Sequence, residues 1–240
     1  MASTATASSS SARDLTELRA NPVWAALSSA QAHLALGAAR MKRYPADVAP
    51  FVAVPSEAAG ADASEALAAL TERDESVVFV GPAPALDARF EIEQRARVLQ
   101  MDATRPGAGG ERFTELGADA AEAMLALTGL VYPGYFRHRT YLMGRYFGVY
   151  DADRRLVAMA GERMRTSDAC EVSGVCTHPD FLGRGLARRL VEHVVAAIQA
   201  HGEHAFLHVS PENTRAVKLY EMLDFVIAAE LDLMRVRRVA

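Results

Sequence analysis

Between Val175 and Leu190 the chain reads V-C-T-H-P-D-F-L-G-R-G-L-A-R-R-L, a segment with the residues to hold an anion. A strand ending at Thr177 is stopped by His178-Pro179, because proline has no N–H to give to the ladder. The chain then turns through Gly183-Arg184-Gly185 into an amphipathic helix. Glycines at such a turn let backbone N–H groups approach a ligand with no Cβ in the way. The first turn of the helix adds unpaired N–H groups and the positive end of the dipole, so a phosphate or pyrophosphate is the natural guest. Arg184 and Arg188 add charge that can meet phosphate oxygens. Taken alone, a G-x-G turn is explained as well by a structural turn with no ligand. A dinucleotide-binding Rossmann turn is the other rival, and it fails on the residues. Arg188 occupies the third glycine position, His-Pro-Asp-Phe-Leu separates the turn from its strand, and no acidic residue ends the next strand.

His201, His204 and His208 give H-x-x-H-x-x-x-H, but they straddle a turn at Gly202 and a strand. They do not share one helical face as a zinc pair does, so no metal site is expected. Cys170 and Cys176 fall on one strand, roughly 20 Å apart when extended, too far for a disulfide. Free thiols and a cytoplasmic protein are the expectation.

Positioning these residues requires alternating strands and helices. Leu186, Leu190, Val194 and Ile198 recur every four residues with Ala187, Val191 and Val195 beside them, which predicts a helix over Arg184–Ala200. Glu171–Thr177 and Ala205–Val209 read as the strands on either side, and Asn213–Leu223 as a second helix. Phe225–Arg237 supplies one or two closing strands. Upstream, Tyr146–Tyr150 and Leu156–Arg163 form an antiparallel hairpin about Asp151–Asp153. Phe113–Leu116 is a further strand, Asp119 is expected to cap a helix through Met124 and Leu127, and Tyr135–Met143 a second helix. The first half carries a helix from Asn21 with Pro22 at its first position, strands at Phe51–Val54 and Val77–Val80, a helix at Ser64–Thr71 and an alternating stretch at Phe90–Leu99. It has no chemical signature, and Trp24, His33 and Tyr44 read as core or rim.

Half of the 240 residues are hydrophobic and 23% are charged, the balance of a soluble globular chain. A net charge of −4 gives no electrostatic reason to expect nucleic acid or an anionic membrane. No apolar run approaches the roughly 20 residues that span a bilayer. Residues 1–13, small and polar, read as a disordered tail. Pro55–Asp62 reads as a linker, and the four Gly or Pro of Ala103–Gly110 mark a boundary between an N-terminal α/β region (14–105) and a second domain (109–240).

Leu182-Gly183-Arg184-Gly185-Leu186-Ala187 resembles the acyl-CoA signature of the GNAT N-acetyltransferase superfamily, Q/R-x-x-G-x-G/A. Leu182 departs at the first position, so any side-chain contact made there is lost. The second GNAT signature, N-x-x-A-x-x-L-Y-x-x-x-G-F, follows as Asn213, Ala216, Leu219, Tyr220 and Phe225, with Asp224 where the family has Gly. The resemblance covers roughly Glu111 to Arg237. The P-G-Y-F stretch at Pro133 and the M-G-R-Y-F-G-V run also look like a GNAT subset with an extra N-terminal half, related to glycine N-acyltransferases.

What the resemblance implies is a mixed α/β (α+β) fold, with a largely antiparallel sheet flanked by helices and a smaller N-terminal α/β region. It implies acetyl-CoA as co-substrate and direct transfer to an amine of a small molecule, amino acid or peptide. Val175, Cys176 and Thr177 would bind the pantetheine arm, and Gly183, Arg184, Gly185, Leu186, Ala187 and Arg188 the pyrophosphate. Asn213 would hydrogen-bond the cofactor. Tyr220 would protonate the leaving thiolate, and with a reference pKa of about 10 it holds its proton at neutral pH. Glu171 is the expected base: it stands as far before the G-x-G as the base glutamate of histone-type relatives. By strand alternation it shares a face with Ser173, Val175 and Thr177. Cys176 has no marker of a nucleophile. A homodimer is allowed. The departures at Leu182 and Asp224 leave a second reading, a CoA-binding regulatory module without catalysis.

Overall fold

Long apolar-alternating segments pair into one sheet because each buries a face against helices or loops. The computed structural model describes residues 15–55 and 62–240. The tail expected over residues 1–13 and most of the linker Pro55–Asp62 lie outside the described residues. Five helices are named here: α1 (Pro22–Leu27), α2 (Ala63–Leu70), α3 (Ala121–Val131), α4 (Leu186–Gln199) and α5 (Thr214–Glu221). The strands are β1 (Leu36–Ala38), β2 (Met41–Arg43), β3 (Val52–Ala53), β4 (Ser76–Val80), β5 (Phe90–Ala103), β6 (Thr114–Leu116), β7 (Tyr146–Tyr150), β8 (Leu156–Arg165), β9 (Ala169–Thr177), β10 (His204–Val209) and β11 (Phe225–Arg238).

Eight strands form the main sheet in the order β4-β11-β5-β10-β9-β8-β7-β6, and β1-β2-β3 make a small second sheet. Within the main sheet the β9–β10 pair is parallel and the other neighbours are antiparallel. The mixed, mostly antiparallel sheet flanked by helices is the expected fold class. The Phe225–Arg237 segment lies in one 14-residue strand, β11, paired along its length with an equally long β5.

The boundary expected at Ala103–Gly110 does not separate two sheets. β4 and β5 both lie upstream of it, and β5 runs between β11 and β10 in the middle of the sheet. The Gly- and Pro-rich stretch is a connection, and sequence order conceals this because β5 finds its partners more than 100 residues later. One face of the sheet packs on α4, whose Leu190, Val191, Val194 and Ile198 are buried against Met101, Cys170 and Leu207. On the other face, Leu18, Leu27, Tyr44 and Phe51 from the first segment pack with Met164, Phe206 and Leu233.

Two local expectations fail. Asp119 lies inside a 3-10 turn (Ala118–Ala120) and makes no capping bond; Ala120 precedes α3. Tyr135–Met143 is an extended loop with only Thr140–Met143 in a 3-10 turn. There Phe136 is buried beside Tyr146, and the Thr140 hydroxyl donates to the Val48 carbonyl (2.7 Å) while accepting from the Arg137 amide (2.8 Å). Such side-chain bonds give the backbone an alternative to helix. The hairpin turn is where expected: Asp151 Oδ1 accepts from the amides of Asp153 (3.0 Å) and Arg155 (2.8 Å).

Candidate active site

β9 and β10 run parallel but pair only over His204–Phe206 with Ala169–Glu171. Both strands continue beyond that point, so they open a gap, lined on one side by Val175–Thr177 and on the other by Val209 and Asn213. Gly174 marks the opening. Ser173 pairs with Gly161 and Cys176 with Met159, so β9 has one residue more than β8 across this step. Gly174 absorbs it at φ +64°, the left-handed region where glycine is at ease. A side chain there would meet the Tyr146 ring at 2.9 Å.

This bulge reverses the alternation. Cys170 and Val172 pack on the α4 face together with Val175, whereas Cys176 packs with α3. Glu171 and Ser173 therefore do not share a face with Val175 and Thr177, contrary to simple alternation along the strand.

At the mouth of the gap the chain enters α4. Gly183 has φ +78° and Gly185 φ +71°, and a Cβ at either would meet nothing within 4 Å. The space in front of both is open. The first bond of α4 runs from the Arg189 amide to the Gly185 carbonyl, so the amides of Leu186, Ala187 and Arg188 have no partner within the helix. No acidic residue sits in this first turn. Arg184 lies 4.5 Å over the Phe181 ring and borders the opening, while the exposed Arg188 reaches Glu192 at 3.6 Å. A cavity of about 590 Å³ brings together Val175, Cys176, Thr177, Gly183–Arg188, Asn213 and Tyr220. These are all ten residues expected to bind the cofactor, together with the expected acid. Leu182, Leu130 and Met222 add exposed apolar surface to its wall. An open oxyanion cradle, a strand gap and apolar walls fit a pyrophosphate with a long pantetheine arm.

A second cavity, of about 300 Å³, lies on the sheet face toward the N-terminal segment. Phe51, Gln94, Tyr132, Tyr135, Arg163, Ser173, His208 and Leu233 line it. The two cavities share Val175, Asn213, Ala216 and Tyr220. Tyr220 is held at this junction by α5, whose first turn is fastened by Asn213: its Oδ1 accepts from the Ala216 amide at 3.1 Å. Tyr220 is buried and packs 5.8 Å from Phe225. Burial first, then the nearby Glu171 and Cys176, push its phenol well above the ordinary value.

Glu171 lies beneath the second cavity and does not line it. Oε2 accepts from Arg163 Nε (2.8 Å) and the Met164 amide (3.3 Å). Oε1 accepts from Arg163 (2.6 Å) and meets His208 Nδ1 at 2.7 Å. Burial alone would raise its pKa, but the Arg163 guanidinium and then His208 hold it well below the usual carboxylate range. The other ring nitrogen of His208 lies 3.1 Å from the Gln100 amide nitrogen. Of the remaining histidines, His204 borders Asp102 at 3.3 Å and His201 is exposed. Cys170 and Cys176 are free and buried. Desolvation pushes the Cys176 thiol up to about 12.

The sequence reading missed Arg163, Tyr132, Tyr135 and Phe51. Arg163 is one of two arginines two apart on β8, and nothing in that spacing says which one turns inward. Phe51 and Tyr135 reach the cavity from separate loops.

Against known proteins, a family model described as FR47-like protein matches residues 146–232, from β7 into β11. The [Ribosomal protein bS18]-alanine N-acetyltransferase of Salmonella typhimurium is 35% identical over 75 residues, 31% of this chain and half of that enzyme. A crystal structure of a GNAT-family acetyltransferase from Novosphingobium aromaticivorans is 35% identical and superposes with a TM-score of 0.83, covering 92% of this chain and 98% of that one. A GCN5-related N-acetyltransferase from Kribbella flavida has the same fold (TM-score 0.55, 18% identity, 93% of this chain and 95% of that one). The chain belongs to the GNAT family and is a GNAT-family N-acetyltransferase. Enzymes of this family take acetyl-CoA as co-substrate. Among the described residues, no helix is long and apolar enough to cross a membrane.

Proposed function

We propose that this chain moves an acetyl group from acetyl-CoA to a primary amine of a small molecule, amino acid or peptide, directly and within one ternary complex. The observation that carries the reading is the placement of Tyr220 where the cavity of the glycine turn meets the second cavity. The larger cavity would hold acetyl-CoA: amides of Leu186–Arg188 and the Arg184 guanidinium face the pyrophosphate, and Val175–Thr177 flank the pantetheine arm. The thioester then lies at the junction and the amine comes from the smaller cavity.

Tyr220 donates its proton to the departing sulfur as the C–S bond breaks; its raised pKa keeps the phenol loaded but makes it a weaker acid, so the proton moves together with bond cleavage. Cys176 keeps its proton too, so it is a poor nucleophile and an acyl-enzyme gains nothing from it. Glu171 takes a role other than direct base. With both oxygens occupied and no surface in the cavity, it positions Arg163 and His208 in the cavity wall. The acceptor loses its ammonium proton to water as it enters; once its nitrogen has bonded to the acetyl carbon and the C–S bond breaks, the nitrogen gives up a second proton, which returns through water to the Tyr220 phenolate.

The test is calorimetry with acetyl-CoA, followed by thiol release across a panel of primary amines. Binding together with amine-dependent thiol release is the expected result. Binding without release by any amine would favour the non-catalytic module, and the absence of binding would remove the whole assignment.

A further inference from the structure

Among the described residues, no carboxylate lines the second cavity, and the permanent charges on its wall are two guanidinium groups, Arg97 and Arg163. Glu171 lies beneath the wall without exposed surface, its oxygens committed to Arg163, His208 and the Met164 amide. Glu230 and Asp232 each lie 3.4 Å from Arg97 and do not line the cavity. An ammonium that stayed charged inside would lose its water shell and meet no counter-ion.

The apolar part of the wall is rich in rings. Phe51 and Tyr135 stack with centroids 6.4 Å apart and 30° between their planes, and Tyr132 joins them from the end of α3. Val80, Val98 and Leu233 complete that side. The rings do not make a cage for a cation. Arg163 already lies 4.8 Å over Phe51 and Arg235 4.8 Å over Tyr135, so a further cation brought to either ring would meet like charge. An uncharged planar group gains more. Aryl pairs gain beyond simple area in offset or edge-to-face contact, and rings already held against each other lose little freedom on binding. A volume of about 300 Å³ holds roughly ten water-sized groups at ~30 Å³ each, enough for one ring on a short tether.

Resting on the acyl-transfer reading above, we infer that the acceptor is an arylalkyl monoamine, whose ring fills the second cavity against Phe51, Tyr132 and Tyr135 while its one amine reaches the junction at Tyr220. The same wall rejects acceptors that carry a second positive charge, such as polyamines.

The experiment uses the full chain and acetyl-CoA, with thiol release as the readout and kcat/KM referred to the unprotonated amine. Two pairs of amines are matched in size. Hexylamine and cadaverine differ in one terminal charge, and phenethylamine and cyclohexylethylamine differ in aromaticity. Hexylamine should exceed cadaverine by roughly 100-fold or more, the cost of an unpaired charge out of water. Phenethylamine should exceed its cyclohexyl counterpart by roughly 2–10-fold, the worth of ring contacts beyond area. Tyr135→Leu and Tyr132→Leu keep apolar bulk and remove a ring, so each should narrow that second ratio, with acetyl-CoA binding in calorimetry as the check on folding. Cadaverine used as well as hexylamine, a cyclohexyl compound equal to or better than the phenyl one, or a ratio that survives both substitutions would each overturn the inference and leave the transferase reading intact. Thiol release with other amines and with none of these four would do the same. Failure of the wild-type chain to bind acetyl-CoA would instead strike the underlying reading.

Discussion

A phenol between two cavities is useful as an acid only while it keeps its proton; burial and the nearby Glu171 keep it on Tyr220, and they make its release depend on the bond breaking beside it. Glu171 is a carboxylate in the opposite condition, fully charged and enclosed, and its charge supports the site through its neighbours. Glu171→Gln should leave a buried Arg163 half-paired, at a cost of about 3–5 kcal/mol in chemical denaturation. Replacing both partners with apolar residues of similar volume should recover much of that loss. The same pair gives the fold an acid limit. The folded pKa of Glu171 lies below the unfolded value near 4.5, so the folded state binds fewer protons there. Its contribution is complete above pH 4.5 and drains away as the pH falls further, and the wild-type melting temperature should drop in that window. Activity should instead rise with pH as more of the acceptor becomes neutral.

At the scale of elements, the glycine turn and the helix behind it were legible because their signals are local. The four-residue apolar repeat of Leu186, Leu190, Val194 and Ile198 faces the core, and Gly183 and Gly185 occupy the left-handed conformations that such a turn needs. Asp224, the departure from the second GNAT signature, also takes a left-handed conformation (φ +57°), a place that Asp tolerates better than most residues. Its side chain pairs with Arg105 and its carbonyl accepts from Thr104, so the departure leaves the turn intact. The bulge at Gly174 was not legible. One glycine within a strand pattern does not reveal whether it adds a residue to the register, and the faces assigned to Glu171 and Val175 depend on that. Gly185→Ala should strain the turn by about 1–2 kcal/mol and weaken acetyl-CoA binding modestly. Gly185→Glu adds a negative charge to the open cradle and should abolish binding in calorimetry while the fold persists.

For the whole molecule, the first half is a component of the catalytic sheet as well as a cover for it. β5 joins β11 to β10, and Phe51 brings the N-terminal segment to the second cavity. Short-range patterns found most strands and helices but could not order them, because β5 pairs with segments far along the chain. A truncated chain beginning at Gly107 would lose β4 and β5 and uncover Phe206, Leu231 and Leu233. It should fail to fold cooperatively, as seen by loss of a sharp thermal transition, and should not bind acetyl-CoA.

If Tyr220 gives its proton to the leaving thiol during direct transfer, the rate with Tyr220 removed depends steeply on the acidity of that thiol. Wild type and Tyr220→Phe would be compared with an amine acceptor and a series of acetyl thioesters of decreasing thiol pKa. The variant should keep its KM for acetyl-CoA, lose roughly 10²–10⁴-fold in kcat, and recover steadily toward wild type as the thiol becomes more acidic. A deficit that stays constant across the series, or a variant as fast as wild type with acetyl-CoA, would contradict it.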